Sequence, residues 1–404
     1  MAREDTRPTR RELLGAGAAV GTGLLAGCSG ATGSETPTDG DAATATEGET
    51  GTATDGPRYR AELSPVGEVT LEEPPTNVFA HFPWFADMAT ALGQGESINS
   101  VWWDGTATAM EYFTADLDGV EIPWRDRTTA YGFSKEQLYE LDSDLHLVDP
   151  AWATTQENWD RGDVEDIGDA VGPWFGNYYS NFHAEPPAAW ADGYEYHSLW
   201  ELFEGVAALY GERARYEALA ALRADLLSTI EAGLPPESER PTAAYLSIST
   251  DLSAIYVLRL NAPGYFNAHT RPLGATDAFG DDGWDGAFQQ VDMEALLEAD
   301  PDVLLTLWGV TGAVDYDAMR RNLAEDDLGS ELSAVRNDRV YTQGTRWQGP
   351  LMNLFQLEMT AKQLYPERFG EWPVYEEGDS YPSFDASERL FDRERLSAAV
   401  RGDV

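Results

Sequence analysis

Lysine and cysteine are nearly absent from this 404-residue chain: Lys135 and Lys362 are its only lysines, and Cys28 is its only cysteine. One cysteine excludes an internal disulfide and a thiolate metal cluster. Basic charge as a whole is scarce, with 27 Lys and Arg against 71 Asp and Glu and a formal charge of −44. That balance excludes nucleic acid as a partner, because counterion release at phosphates needs clustered cations. The five histidines, His81, His146, His183, His197 and His269, include no HxH or HExxH pair, so a dedicated imidazole site for zinc or manganese has little support. No GxSxG elbow, Walker lysine or glycine-rich loop after a strand is found in the body of the chain, which reads as a non-enzyme. Long apolar runs are missing too. The uncharged stretch at residues 15–26 is too short for a membrane span.

What is present is a 42% apolar fraction with 13 Trp, 18 Tyr and 15 Phe, enough for a sizeable core in two domains or one large one. Dense carboxylates beside 25 arginines fit a surface adapted to very high salt, where the Debye length falls to about 3 Å and self-repulsion costs little. The expected source is a halophile.

Residues 1–28 read as an address. Thr9-Arg10-Arg11-Glu12-Leu13-Leu14 precedes the small apolar stretch, which ends in Leu25-Ala26-Gly27-Cys28. This is the pattern of a twin-arginine export signal closed by a lipobox, with Cys28 as the lipidated residue. Residues 29–57 carry no basic side chain and nothing apolar larger than Ala except Pro, so they are expected to form a disordered acidic tether. The cargo would then be held at the outer face of the cell membrane.

In the body, Val78-Phe79-Ala80 reads as a buried strand, residues 87–93 as a helix closed by Gly93, and residues 98–103 as a second strand. Ser134 caps a helix that leads to the strand Leu145-His146-Leu147-Val148. The alternation predicts parallel-rich α/β sheets. The same text returns later. Glu136, Glu140, Asp142 and Asp144 align with Glu294, Glu298, Asp300 and Asp302 at a constant offset of 158, each set behind a cap, Ser134 or Asp292. One α/β unit is therefore expected twice. Between the copies, Leu199, Phe203, Val206, Leu209, Tyr216, Leu219, Leu222, Leu226 and Ile230 fall at helical spacing. They predict one rod over residues 198–232, about 50 Å long at about 1.5 Å per residue, with close packing or a slight bend at Gly205 and Gly211.

These features resemble the cobalamin, siderophore and haem binding proteins of ABC importers. The resemblance runs over about residues 62–370. It is carried by residues 77–93, by the two aligned segments, and by Arg339-Val340-Tyr341, Gly349-Pro350 and Leu364-Tyr365-Pro366-Glu367-Arg368-Phe369. Ser143 stands where that family usually has Pro, and residues 384–404 extend beyond its pattern. The resemblance implies two Rossmann-like lobes joined by one long rigid helix, with a ligand cleft between them. It implies an N-terminal lobe at 58–195, a spanning helix at 196–232, a C-terminal lobe at 233–383 and an extension at 384–404. It also implies a monomer that delivers a ferric chelate, haem or cobalamin to a permease and its ATPase, with no covalent cofactor; with the acidic, lysine-poor composition, a haloarchaeal source is expected. Glu136 and Glu294 take the place of the acidic residues that meet permease arginines.

In such a molecule the ligand faces loops at the carboxyl ends of strands. The first lobe offers His81, Phe82, Trp84, Trp103, Tyr131 and Trp152. The second offers Tyr265, Asn267, His269, Arg271, Trp308, Arg346 and Trp347. Aromatics would cover a flat chelate and arginines would pair with its negative charge. Arg346-Trp347 is the strongest pair, a cationic fork beside an indole just past a strand. Bare ferric iron bound by Tyr178 or Tyr179 with a histidine is an alternative, weakened because neighbours on a strand face opposite ways. Residues 281–286 read as an acidic turn, with calcium binding the lesser reading. A cell-surface interaction module or an enzyme on the same fold are further alternatives.

Overall fold

Tyr59 opens the part of the chain that this computed structural model describes, residues 59–280, 284 and 286–404. The expected export signal, the tether and most of the acidic turn lie outside the described residues. A hairpin of β1 (Tyr59–Leu63) and β2 (Gly67–Leu71) comes first, in register from Tyr59 opposite Leu71 to Leu63 opposite Gly67. Its period-2 pattern buries Ala61, Leu63 and Val69 and leaves the alternate positions wet.

The first lobe is built on short parallel strands. β3 (Val78–Ala80) is followed by helix α1 (Pro83–Ala91), then β4 (Ser100–Val101), α2 (Gly105–Thr114), β5 (Thr128–Thr129), α3 (Lys135–Leu141), β6 (Leu145–Leu147) and α4 (Arg161–Ala170). β3 pairs with β6 and β4 with β5, all parallel, while a bridge from Val78 to Ile98 joins the two pairs and one from His146 to Trp174 adds an edge. β3 and β6 are buried at every residue, as strands covered on both faces must be.

The expected single rod is two helices, α5 (Leu199–Tyr210) and α6 (Arg213–Gly233). Gly211 ends α5 in the left-handed region at φ +74, where a Cβ would lie 2.6 Å from the Tyr59 ring. A glycine in this conformation terminates a helix rather than bending it. Gly205 packs closely as expected, since a Cβ there would lie 2.6 Å from the Phe175 ring. The longer piece, α6, spans only about 32 Å.

The second lobe holds β7 (Thr242–Ile248), β8 (Ile255–Leu258), β9 (Thr276–Asp277), β10 (Phe288–Val291), helix α7 (Met293–Ala299), β11 (Val303–Thr306), α8 (Tyr316–Glu325), β12 (Val340–Thr342), α9 (Pro350–Leu364) and α10 (Arg393–Arg401). The sheet order is β10-β8-β7-β11-β12, with β9 beside the start of β7. β7, β11 and β12 run parallel and β8 antiparallel. The fold is thus a two-lobed α/β arrangement with parallel-rich sheets. Among the described residues no helix is long and apolar enough to cross a membrane.

The duplicated segment forms the same unit in each lobe. Ser134 accepts a bond from the Gln137 amide to start α3, and Asp292 accepts one from Ala295 to start α7. Asp142 and Asp300 end these helices in the left-handed region, at φ +46 and +35. Asp144 then accepts from the Thr76 amide and hydroxyl, as Asp302 does from those of Thr242. Each clamp ties the helix-to-strand joint to the start of the neighbouring parallel strand. The aligned aspartates are therefore caps and clamps of the backbone. Ser143, in place of the usual Pro, accepts a 2.8 Å bond from Asn99.

Candidate functional site

Aromatic side chains from the carboxyl ends of both sets of strands meet along one seam. After β3, the Phe82 ring stacks on Trp84 at 4.4 Å and on Tyr178 at 4.9 Å. Trp84 reaches the second lobe edge-on, 5.4 Å from Tyr265 and 6.1 Å from Phe266. After β4, Trp102 stacks on Tyr131 at 5.2 Å and stands edge-on to Trp347 of the second lobe at 3.9 Å; Trp347 in turn lies 4.9 Å from Trp308. Arg346 projects its guanidinium over the Phe266 ring at 4.6 Å. The His81 and Trp152 rings meet at a tilt, 4.4 Å apart, within the first lobe beside Phe82.

The structure therefore brings together Phe82, Trp84, Tyr131, Tyr265, Trp308, Arg346 and Trp347 of the residues expected to face a ligand, with His81 and Trp152 behind them. The other four make contacts within their own lobe, Asn267 at the wall of the cavity that opens on the seam. Trp103 turns over Gly105, so that a Cβ on the glycine would lie 2.2 Å from the indole. Asn267 donates to the Arg259 and Leu260 carbonyls. Arg271 donates to the carbonyls of Ala262 and Gly264, and His269 is fully buried against Gln348 and Tyr245. Sequence reasoning missed Trp102, Phe182, Tyr245, Arg259 and Phe266, and offered Tyr178 only as a ligand to bare iron. Tyr178 and Tyr179 are not strand neighbours: Tyr178 immediately precedes the one-turn helix Tyr179–Asn181, and the two rings pack at 5.3 Å. Buried Asp149 sets Tyr178 in place, accepting from its amide at 2.7 Å and from the Tyr194 hydroxyl at 2.6 Å.

A cavity of about 30 Å³ opens on this seam, lined by Phe182, Tyr245, Leu258, Arg259, Phe266, Asn267 and Arg346 among others. At ~10–15 Å³ per water it has room for about two waters. The expected open cleft is closed in this state because the rings of the two lobes pack directly on one another. Two guanidiniums face the cavity, and neither Arg259 nor Arg346 has a carboxylate partner among the described residues. Burial pushes Arg346 down from its usual range, while the phenols of Tyr245 and Tyr178 oppose that shift. Tyr178 is pushed up to about 12 by burial, with Arg346 opposing. Both guanidiniums are half-buried, and partial loss of water around a cation carries a cost that a nearby anion offsets. The arrangement stabilises an anion that enters the seam. Among the described residues no three His, Cys, Asp or Glu side chains gather where a metal ion could be held.

Buried imidazoles in and around the seam give the fold an acid limit. His81 and His269 are pushed down to about 3 by burial, the Ala130 backbone opposing in the case of His81, and His146 is pushed down to about 4. A histidine kept neutral when folded contributes stability above about pH 6.5 that is lost as the pH falls toward its folded value. Asp87 and Asp149, pushed up to about 7 and 6 by burial, act in the opposite sense over this range, so a single variant isolates the histidine. His81→Phe is expected to flatten the fall of Tm between pH 6.5 and 4. Parallel Tm curves for parent and variant would contradict this.

Comparison with known proteins places this architecture. No curated protein matches the sequence. Among solved structures, a periplasmic binding protein from Veillonella parvula is 15% identical with a TM-score of 0.53, covering 74% of this chain and 87% of that one. The iron uptake ABC transporter substrate-binding protein PiuA from Streptococcus pneumoniae is 16% identical with a TM-score of 0.52, over 75% of this chain and 96% of that one. CeuE of Helicobacter pylori, solved with Ni(II) bound, is 12% identical with a TM-score of 0.53, over 77% and 90%. At these identities the likeness is one of fold. The periplasmic binding protein family model matches residues 122–346, more than half of the chain, and the chain belongs to that family.

Proposed function

We propose that this chain is the extracytoplasmic receptor of an ABC importer, held to the membrane through lipidated Cys28, and that it binds an anionic ferric chelate between its lobes. The observation that carries the reading is the pair of half-buried guanidiniums, Arg259 and Arg346, which line the aromatic seam with no carboxylate partner among the described residues. Unpaired cations beside indoles and phenols suit a flat, negatively charged chelate, such as a ferric tris-catecholate or a carboxylate-bearing complex. They suit a neutral corrinoid less well. Family membership and the iron-uptake role of PiuA agree with the same class. The role is binding and handover, with no bond chemistry. A chelate is far larger than the cavity, so its entry requires the rings of the two lobes to separate.

The test is titration of tryptophan fluorescence in molar salt with ferric tris-catecholate, ferrioxamine and cyanocobalamin. The anionic complex is expected to bind at least tenfold more tightly than the other two. Arg346→Ala is expected to weaken it by at least about tenfold, or ~1.4 kcal/mol, with unfolding unchanged. Equal affinity for all three, or no loss in Arg346→Ala, sinks the anion reading.

A further inference from the structure

Helix α9 begins without a cap of its own: Gly349 precedes Pro350, and no side chain of its own segment bonds the first amides. A helix start buried in this way needs a partner. It is supplied from the other lobe. The Asp87 carboxylate, in the second turn of α1 and fully buried, accepts from the amides of Gly349 at 3.1 Å, Leu351 at 2.8 Å and Met352 at 3.0 Å. We infer that Asp87 is the latch between the lobes, a positioning residue that fixes the Arg346-Trp347 loop against the first lobe by capping α9 in trans.

Three observations beyond the bonds lead to this role. First, residue 349 must be glycine for the carboxylate to reach the amides, because a Cβ there would lie 2.4 and 2.5 Å from Cβ and Cγ of Asp87. The Gly349-Pro350 pair noted in the sequence is thus the receiving half of the latch. Second, Trp84 sits one turn before Asp87 on α1, and its carbonyl also crowds Gly349, at 2.7 Å from that Cβ position. Third, Arg346 lies three residues before Gly349 and shares Phe266 with Trp84, at 4.6 and 6.1 Å respectively. One turn of α1 therefore sets both walls of the seam. A carboxylate at a helix N-terminus is also favoured by the macrodipole, and its isosteric amide would present an NH2 group toward backbone donors.

The consequence for the ligand rests on the function proposed above, whereas the latch itself does not. Spin labels at Glu140→Cys and Glu298→Cys, exposed equivalents on the two lobes, report the distance between lobes in the full chain carrying Cys28→Ser. Asp87→Asn is expected to broaden and lengthen that distance in the unliganded protein. Gly349→Ala, which keeps the carboxylate but wedges the contact, is expected to do the same and serves if Asp87→Asn does not fold. An unchanged distance in a folded variant overturns the latch. The second measurement is a cycle with Arg346→Ala, read by ferric tris-catecholate affinity. Asp87→Asn should cost at least tenfold in the parent and under twofold in Arg346→Ala, because the two act through one loop. Equal losses in both backgrounds overturn the positioning role. If the distance changes while neither substitution alters affinity, the latch stands and the ligand site proposed above is wrong.

Discussion

Arg393→Ala is expected to destabilise the protein by about 3–5 kcal/mol, the cost of breaking a buried ion pair by removing one partner. Glu358 sits in the middle of α9, a helix buried along its whole length, and its side chain is 0% exposed. Its carboxylate accepts from the Leu390 amide at 2.6 Å and from the Tyr381 hydroxyl at 2.8 Å, and pairs with the Arg393 guanidinium. That guanidinium lies 3.6 Å from the centroid of Phe391 and 4.4 Å from that of Phe355, so water is excluded from around the pair. The surface pairs on the same segment, Arg395 with Asp225 and Arg401 with Asp118, are exposed and contribute little, least of all in molar salt. Glu358 is therefore one buried fastening of the segment after α9, beside the Arg215 bond to the Val400 carbonyl and the buried Leu396 and Val400. Denaturant unfolding in molar KCl measures the loss. The double variant Glu358→Gln with Arg393→Met removes both charges and should lose much less. If Arg393→Ala were as stable as the parent, Glu358 would have to find another cation or a proton, and this account would fall.

The same residue shows where the sequence stops being readable. Leu357-Glu358-Met359 looks like any helix with an acid on its wet face, and only the return of residues 381–393 makes that face dry. Residues 384–404 read as an extension, and nothing local shows that Arg393 pairs with Glu358. Asp87 is silent for the same reason, since the first amide it binds, that of Gly349, lies 262 residues later. The duplicated unit was legible because its caps and clamps act within a few residues and recur in register. The rod was misread at Gly211 because the apolar stripe runs on through the break, so periodicity carries no signal of the left-handed turn. At Trp102-Trp103 the sequence offers two indoles side by side, and the phase that turns one to the seam is set by the pairing of β4.

Uptake should fall at least tenfold in Glu136→Ala with Glu294→Ala, while affinity for the chelate and unfolding stay close to the parent. The two glutamates occupy the first turn of α3 and α7, equivalent positions of the duplicated unit, and both are exposed. Hydrogen bonds with its own backbone amide and Ser134 hold Glu136 below the usual carboxylate range. The neighbouring Lys135 bonds Asp163 at 2.5 Å, so the one cation beside Glu136 is already engaged by another acid. A glutamate at a helix start also steadies the macrodipole, but that effect is only about 0.3–1 kcal/mol each and would show as a small loss of stability with uptake intact. The outcomes separate cleanly. In molar salt a Debye length of about 3 Å removes steering at a distance, so only side chains in direct contact with a permease can register its docking. Two carboxylates, each fixed on its own lobe by a cap and an aspartate clamp, make such contacts sensitive to lobe separation as well as to orientation. Each single variant should then retain part of the uptake. Normal transport by the double variant would assign docking to other surfaces.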